Sequence, residues 1–299
     1  MRPLANHALT RLSSVLVTAM LIVPLLLAGS PVAQAGAGGN DFYLALGDSL
    51  SVGVQPGRGE TSKGYVDDLL RSIQEQIPAL ALRNVGCAGE TSRSMITGEN
   101  SPCSYAAGSQ LDAAVAFLQA HPGQVAFITI DVGANDAINR CLDFDTGLIH
   151  RACVTNLLPA LRTRLTQIVD ALEAEAGPGV PILAMNYYNP FLGFWGLVPG
   201  GHALARADQR AWAVLNEGLA TGHGNAGATV VDVAKTFRID DFEHTVFVKG
   251  RGRIPVNVAL ACRWTWFCSR KHFGDPHANR TGYRRIAHTF YRELTTLLP

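Results

Sequence analysis

The chain has 299 residues, of which 47% are hydrophobic and 16% are charged, and its formal net charge is +1. This length and composition fit one large globular domain or, less well, two small ones. The near-neutral charge argues against nucleic acid or any other strongly charged polymer as a partner.

The first 35 residues are typical of a secretory signal peptide. Arg2 and Arg11 make the start basic, residues 14–27 are mostly apolar, and Ala-Gln-Ala at 33–35 forms a small-residue cleavage site. A membrane anchor is the alternative, but the apolar run is shorter than the roughly 20 residues that span a bilayer. We expect cleavage after residue 35 and a secreted mature chain, residues 36–299, with no membrane span. Loss of the two arginines leaves 23 basic and 24 acidic residues, a net charge of −1.

In the mature chain, five short apolar runs, each followed by a glycine- or asparagine-rich turn, predict buried parallel strands. In chain order they are residues 42–46, 80–85, 125–130, 182–185 and 229–233. Amphipathic patterns predict helices between and after them, at residues 65–77, 111–118, 156–176, 204–219 and 279–298.

The alternation of strands and helices predicts an α/β fold with right-handed crossovers. Five strands suit a flavodoxin-like three-layer α/β/α sandwich around a five-stranded parallel sheet. Three remaining stretches, residues 141–153, 191–201 and 239–268, are predicted as long loops and as candidates for lining a pocket.

All six cysteines lie in the predicted mature chain, and an even number in an exported protein favours disulfides. Six cysteines allow fifteen pairings, among which the sequence cannot choose, although clustering suggests that neighbours pair. The suggested bridges are Cys87–Cys103, Cys141–Cys153 and Cys262–Cys268. Zinc binding is the alternative, but the chain has no CxxC pair and no His beside a Cys at ligand spacing, so we expect no metal site.

In a parallel sheet, the ligand site lies beyond the carboxyl ends of the strands, so polar residues that follow the predicted strands should gather there. Four segments qualify. They are GDS at 47–49, NVGCAGET at 84–91, DVGAND at 131–136 and FGDPHANRTGY at 273–283, the last preceding the final helix.

These segments contain the parts of an acyl-transfer site. Ser49 is the candidate nucleophile, although this stretch alone suits a helix cap better. A serine hydroxyl needs a base, which His277 can supply, and Asp275 can hold the imidazole tautomer. The backbone N–H groups of Ser49 and Gly89 and the side-chain amide of Asn135 are candidate donors to the developing oxyanion.

Neighbouring polar residues have structural interpretations. Asp48 and Asp136 are expected to cap turns or helices, and Asp131 to brace its loop. Six of the other histidines of the mature chain lack a partner at motif spacing and are expected to be solvated or structural. They are His150, His202, His223, His244, His272 and His288.

Together, Ser49 in GDS, Gly89, Asn135 in GAND and His277 after Asp275 match the four blocks of the SGNH, or GDSL, hydrolases in the right order. From residue 42 to about 287, the chain resembles the secreted bacterial esterases and lipases of that family.

The resemblance implies an SGNH hydrolase domain over residues 36–299, a Ser-His-Asp catalytic triad or a Ser-His dyad, and an oxyanion hole formed by Ser, Gly and Asn. It implies no metal and no organic cofactor. The family usually places Asp three residues before His, whereas Asp275 precedes His277 by two. Either the loop compensates for this spacing, or a backbone carbonyl orients the ring.

These observations predict a secreted monomeric serine hydrolase of carboxylic esters. The aromatic segments 187–196 and 263–268 are either packed in the core or form an apolar acyl pocket, and they favour a lipid-like or medium-chain ester. A sugar-acetate esterase and a catalytically silent glycan-binding protein are alternatives. An α/β-hydrolase is disfavoured because residues 47–51 read GDSLS rather than GxSxG.

Overall fold

Five parallel strands form the central sheet. The structure, a computed structural model, describes residues 41–298, and the predicted signal peptide lies outside the described residues. The strands are β1 (Phe42–Gly47), β2 (Ala81–Asn84), β3 (Val125–Asp131), β4 (Ile182–Met185) and β5 (Thr229–Val231). Their order is β2-β1-β3-β4-β5, with every neighbouring pair parallel, which confirms the predicted flavodoxin-like sheet.

Burial explains why some strands are easier to recognise in the sequence than others. All seven residues of β3 are buried, as are all four of β4, so both read as unbroken apolar runs. The edge strand β2 alternates exposed and half-buried residues, and its signal is correspondingly weaker.

Helices cover both faces of the sheet. The long helices α5 and α6 pack against each other, with α3 against α5, while α1 packs against α9. The helices are α1 (Tyr65–Ile73), α2 (Ser92–Thr97), α3 (Gln110–Ala120), α4 (Ala134–Cys141), α5 (Arg151–Ala176), α6 (Gly201–Gly224), α7 (Val233–Thr236), α8 (Val256–Trp264) and α9 (Arg280–Leu294). The structure thus has the three layers that the sequence predicts.

Two of the predicted loops contain regular structure, so that prediction is wrong for most of their length. Residues 239–268 contain an antiparallel hairpin, β6 (Thr245–Val248) with β7 (Gly252–Pro255), followed by α8. Residues 191–201 are mostly a 3-10 helix (Pro190–Gly196). The strands of the hairpin have only four residues each, too few for alternation to be recognised. The predicted fifth strand is also too long, because Asp232 caps α7 and ends it.

All six cysteines form disulfides between neighbours, as the clustering suggested. The bridges are Cys87–Cys103, Cys141–Cys153 and Cys262–Cys268, with Cα–Cα distances of 6.0, 5.5 and 4.9 Å. Over residues 41–298, no helix is long and apolar enough to cross a membrane, and no group of three or more potential ligands could hold a metal ion.

His223 is structural, as expected. It lies in α6 with no exposed surface, and neither ring nitrogen has a hydrogen-bond partner among the described residues. Burial lowers the pKa of the ring to about 4, so His223 is neutral over most of the pH range in which the protein folds.

We expect His223 to make the protein sensitive to mild acid. In the unfolded chain the ring protonates near pH 6.5, whereas in the folded protein it stays neutral down to about pH 4. Proton uptake by the unfolded chain therefore lowers stability as the pH falls through this window. Between pH 7 and pH 5, the free energy of unfolding should fall by about 2 kcal/mol more in the wild type than in His223→Leu. Urea titrations at both pH values measure this difference, and equal losses would contradict it.

Candidate active site

Ser49 lies in a turn directly beyond the C-terminal end of β1. The next helix along the chain, α1, begins only at Tyr65, so Ser49 does not cap a helix and that interpretation is wrong. The turn is closed by a hydrogen bond from the Val54 N–H to the Ser49 carbonyl (3.0 Å). Ser49 is half-buried and therefore remains accessible.

The Ser49 turn is fastened to the end of β3. The Asp48 N–H donates to the Asp131 carbonyl (2.9 Å) and to the Asp131 carboxylate (3.1 Å). The Asp48 carboxylate in turn accepts the Leu50 N–H (3.0 Å). Asp48 thus caps the turn and Asp131 braces it, as the sequence suggested. Residue 47 must be glycine, because a Cβ there would overlap the Asp131 carboxylate.

The two aspartates form a buried carboxyl pair with tyrosines around it. Tyr187 donates its hydroxyl to Asp48 (2.8 Å), and Tyr65 donates to Asp131 (2.6 Å). Burial raises the pKa of both carboxyls, and the neighbouring Asp48 charge raises the pKa of Asp131 further. Asp131 is therefore the member of the pair that retains a proton most readily.

The three candidate oxyanion donors have unused hydrogen-bonding capacity. Among residues 41–298, the backbone N–H groups of Ser49 and Gly89 donate to no protein acceptor. Gly89 has φ +87°, which favours glycine. The Asn135 amide donates one hydrogen to the Glu90 carbonyl (2.9 Å), which leaves its second hydrogen free, since an amide nitrogen carries two.

Asn135 is held in place through its neighbour Asp136. Both residues lie in the first turn of α4, but Asp136 does not cap this helix, contrary to expectation. Its carboxylate instead accepts the N–H (2.8 Å) and hydroxyl (2.6 Å) of Ser92 at the start of α2, and it pairs with Arg164 (3.1 Å). The segment that carries Gly89 is thereby linked to the helix that carries Asn135.

His277 is oriented by Asp275, despite the short spacing between them. One Asp275 oxygen accepts both the ring Nδ1 (2.8 Å) and the backbone N–H (2.9 Å) of His277, so the loop compensates in a tight turn. The alternative, in which a backbone carbonyl orients the His277 ring, is wrong. Burial by itself raises the pKa of Asp275, but the side-chain and backbone donors of His277 outweigh it and hold that pKa below its usual value.

The His277 loop is anchored through three consecutive carbonyls, those of residues 276–278. They accept hydrogen bonds, in order, from the Tyr188 hydroxyl (2.9 Å), the Trp266 backbone N–H (2.9 Å) and the Gln55 side-chain amide (3.3 Å). The three donors come from separate parts of the chain. Because each carbonyl has its own donor, the loop has little freedom to shift.

One cavity of about 390 Å³ brings the predicted residues together. Ser49, Gly89, Asn135 and His277 all line it. No hydrogen bond joins the Ser49 hydroxyl to the His277 ring in this structure, and such bonds are often long until a substrate is bound. The other lining residues are mostly apolar: Asp48, Leu50, Val54, Ala88, Ala134, Ile138, Tyr187, Tyr188, Pro190, Trp212 and Pro276.

Comparison with known proteins agrees with this geometry. A family model for GDSL-like lipases and acylhydrolases matches residues 45–285. The chain belongs to the GDSL-like lipase/acylhydrolase family. Membership makes the protein a hydrolase of carboxylic esters.

A solved lipase structure shares the fold. The chain is similar to a lipase from a goat rumen metagenome, with 17% identity, a TM-score of 0.53, and coverage of 85% of this chain and 96% of that one. It is less similar to a lipase/acylhydrolase from Enterococcus faecalis, with 17% identity, a TM-score of 0.46, and coverage of 86% and 97%. No curated protein matches the chain.

The two aromatic segments play different parts in this GDSL-like hydrolase. Tyr187, Tyr188 and Pro190 of the first segment line the cavity, whereas no residue of 263–268 does. Trp264 and Phe267 are buried in the core, so the pocket interpretation is wrong for the second segment. Four of the other apolar lining residues adjoin predicted site residues in the sequence: Leu50, Ala88, Ala134 and Pro276. The remaining three, Val54, Ile138 and Trp212, carry no local signal in the sequence.

The Tyr187 hydroxyl should contribute measurably to stability because it donates to a buried carboxylate. We expect Tyr187→Phe to lower the free energy of unfolding by about 1.5–3 kcal/mol, the range for hydrogen bonds to charged groups. Tyr105→Phe is the control, since the Tyr105 hydroxyl is half-buried and donates to a neutral backbone carbonyl (2.9 Å). Its loss should be about 0.5–1.5 kcal/mol. Equal losses in urea unfolding would contradict a special role for the Asp48 contact.

Proposed function

We propose that this protein is an exported serine esterase that hydrolyses lipid-like or medium-chain acyl esters through Ser49, His277 and Asp275. The observation that carries the proposal is the shared cavity. A hydroxyl, an imidazole and three free N–H donors line it, and most of its remaining wall is apolar.

Acylation begins with attack of the Ser49 hydroxyl on the ester carbonyl carbon. His277 takes the hydroxyl proton through Nε2, while Asp275 holds Nδ1 and stabilises the charged ring (2.8 Å). The carbonyl oxygen becomes an oxyanion, for which Ser49, Gly89 and Asn135 offer three donors. Collapse of the tetrahedral intermediate breaks the bond to the alcohol, which leaves with the proton from His277.

Deacylation repeats these steps with water. His277 removes a proton from a water molecule, whose oxygen attacks the acyl carbon on Ser49. The same three donors hold the second oxyanion, and collapse returns the proton to Ser49 and releases the acid. Loss of any one donor costs about 10²–10³ in rate in comparable sites.

The cavity wall favours an apolar acyl group over a sugar. Aliphatic, aromatic and proline side chains make up most of it, including Ile138 and Trp212. Its one acidic residue, Asp48, already accepts hydrogen bonds from Tyr187 and Leu50. Few polar groups therefore remain in the cavity to form hydrogen bonds with the hydroxyls of a bound sugar.

Export is supported by the three disulfides. No free cysteine remains among the described residues, and structural disulfides persist in oxidising compartments. The signal-peptide pattern of residues 1–35 points the same way. We also propose that the protein is a monomer.

Hydrolysis of p-nitrophenyl esters from acetate to palmitate tests the reaction and the substrate class together. We expect kcat/KM to rise from acetate to medium chains as apolar contacts with the cavity accumulate. Ser49→Ala should reduce kcat by at least about 10⁴, since no nucleophile remains. Unchanged activity in Ser49→Ala would refute the mechanism, and turnover of acetate or acetylated sugars alone would refute the substrate class.

The role of Asp275 is tested by Asp275→Asn, which keeps the shape and removes the charge. We expect kcat to fall by about 10²–10⁴ with little change in KM, because the imidazolium loses its stabilising carboxylate. Asp241→Asn is a matched control. Asp241 accepts both Nδ1 and the N–H of His244 (3.0 Å each), but His244, unlike His277, does not line the cavity. Equal kcat values for the two variants would favour a Ser-His dyad.

A further inference from the structure

The hairpin β6–β7 exposes apolar side chains that no other part of residues 41–298 covers. Five large hydrophobic residues are exposed in the described part of the protein: Phe144, Val246, Phe247, Phe273 and Leu297. Two of them, Val246 and Phe247, are consecutive residues of β6, and Phe247 is 74% exposed. A two-stranded hairpin that exposes such residues to water gains little from its own core.

Phe247 and Phe273 are linked through the disulfide-closed segment that ends at Cys268. The hairpin and α8 enclose a groove of about 460 Å³ that is lined by Phe247 at one point and by Cys268 at another. Next to Cys268, the ring of the buried Phe267 lies 6.0 Å from the ring of Phe273, which is 53% exposed.

The same surface is strongly basic. Residues 242–274 contain six lysines and arginines but only one acidic residue, Glu243. None of the six forms an ion pair with a carboxylate in residues 41–298. We define the basic aromatic patch by six of the exposed residues of this segment, Phe247, Lys249, Arg253, Arg270, Lys271 and Phe273.

We propose that the basic aromatic patch docks on an anionic lipid surface. Exposed phenylalanines are stabilised when they insert into the boundary between lipid headgroups and acyl chains. Unpaired lysines and arginines are attracted to anionic headgroups, so an anionic lipid surface can bind both kinds of residue. A hydrophilic polyanion would leave Phe247 in water. A second copy of the chain in a two-fold contact would set the same positive charges against each other.

Docking would bring lipid to the same rim as the cavity. The loop that carries Phe273 continues directly to His277. Trp266, next to Phe267, donates its backbone N–H to the His277 carbonyl (2.9 Å). The inference goes beyond the ester chemistry and does not depend on it, because binding to vesicles is measured without turnover.

Co-sedimentation with vesicles tests the proposal. We expect the mature protein to bind vesicles of phosphatidylcholine and phosphatidylglycerol (about 7:3) far more strongly than phosphatidylcholine alone, with an advantage that high salt removes. Lys249→Gln with Arg253→Gln should weaken binding about 25-fold, at about fivefold per charge. Phe247→Ser should weaken it by at least about tenfold.

Two matched controls separate the patch from general effects. Phe144→Ser removes an equally exposed phenylalanine that lies between Asp143 and Asp145 (77% exposed). Arg83→Gln with Arg93→Gln makes the same change in net charge outside the patch, in the edge strand β2 and in α2. Neither control should weaken vesicle binding by more than about twofold. Hydrolysis of a soluble short-chain ester should be unchanged in all four variants, so the test is independent of the catalytic proposal.

Several results would overturn the inference. Equal binding to neutral and anionic vesicles, or none, excludes anionic lipid as the partner. If the patch variants bind anionic vesicles as strongly as the control variants do, the patch is not the docking surface. Retention on heparin that Phe247→Ser does not change, without vesicle binding, would indicate a polyanion partner. A dimer that Phe247→Ser dissociates, without vesicle binding, would indicate a second copy of the chain.

Discussion

The active site depends on the junction between the ends of β1 and β3. There the Asp48 N–H donates to both the carbonyl and the carboxylate of Asp131 (2.9 and 3.1 Å), and the turn that presents Ser49 follows from this attachment. The attachment requires glycine at 47, since any side chain would displace the carboxylate. Two carboxyls buried side by side are unfavourable unless one keeps its proton and the other is well supplied with donors. Tyr187 and the Leu50 N–H meet the second condition by donating to Asp48, so the packing of the sheet and the placement of the proposed nucleophile depend on the same contacts.

The candidate base, His277, is positioned in a different way. The His277 loop has no strand to extend, so its backbone is held from outside by a tyrosine hydroxyl, a backbone N–H and a glutamine amide, one for each of three carbonyls. Gln55 also accepts the Trp266 indole N–H (3.1 Å), which ties the loop after the nucleophile to the segment before the histidine. Asp275 then has only to orient the ring within a frame that is already fixed. This explains how a two-residue spacing can replace the usual three without loss of the contact.

The sequence predicted the sheet and the candidate residues but not the shape of the pocket. Buried strands such as β3 carry a dense apolar signal, and Ser49, Asn135 and His277 follow strands or precede a helix, where the α/β topology itself brings them together. The hairpin and α8 were missed because a few residues of alternation are too short to recognise. Trp212 of α6 lines the cavity only because the helix packs beside Tyr187, to whose carbonyl its indole N–H donates (3.2 Å). Such a contact depends on tertiary packing and leaves no pattern in the chain.

In the proposed mechanism, an apolar wall around the candidate polar groups serves two purposes. It would offer contacts to an acyl chain, and it would lower the local dielectric in which the donors of Ser49, Gly89 and Asn135 act, so that an oxyanion is stabilised more strongly than in water. The same low dielectric would penalise mobile or unpaired polar groups. The backbone of each candidate segment is accordingly held by a hydrogen bond: the Asp48 N–H donates to Asp131, the Glu90 carbonyl accepts from Asn135, and the Ala278 carbonyl accepts from Gln55. The N–H groups of Ser49 and Gly89 and one Asn135 amide hydrogen remain unpaired within residues 41–298, and these are the donors that the proposed reaction needs.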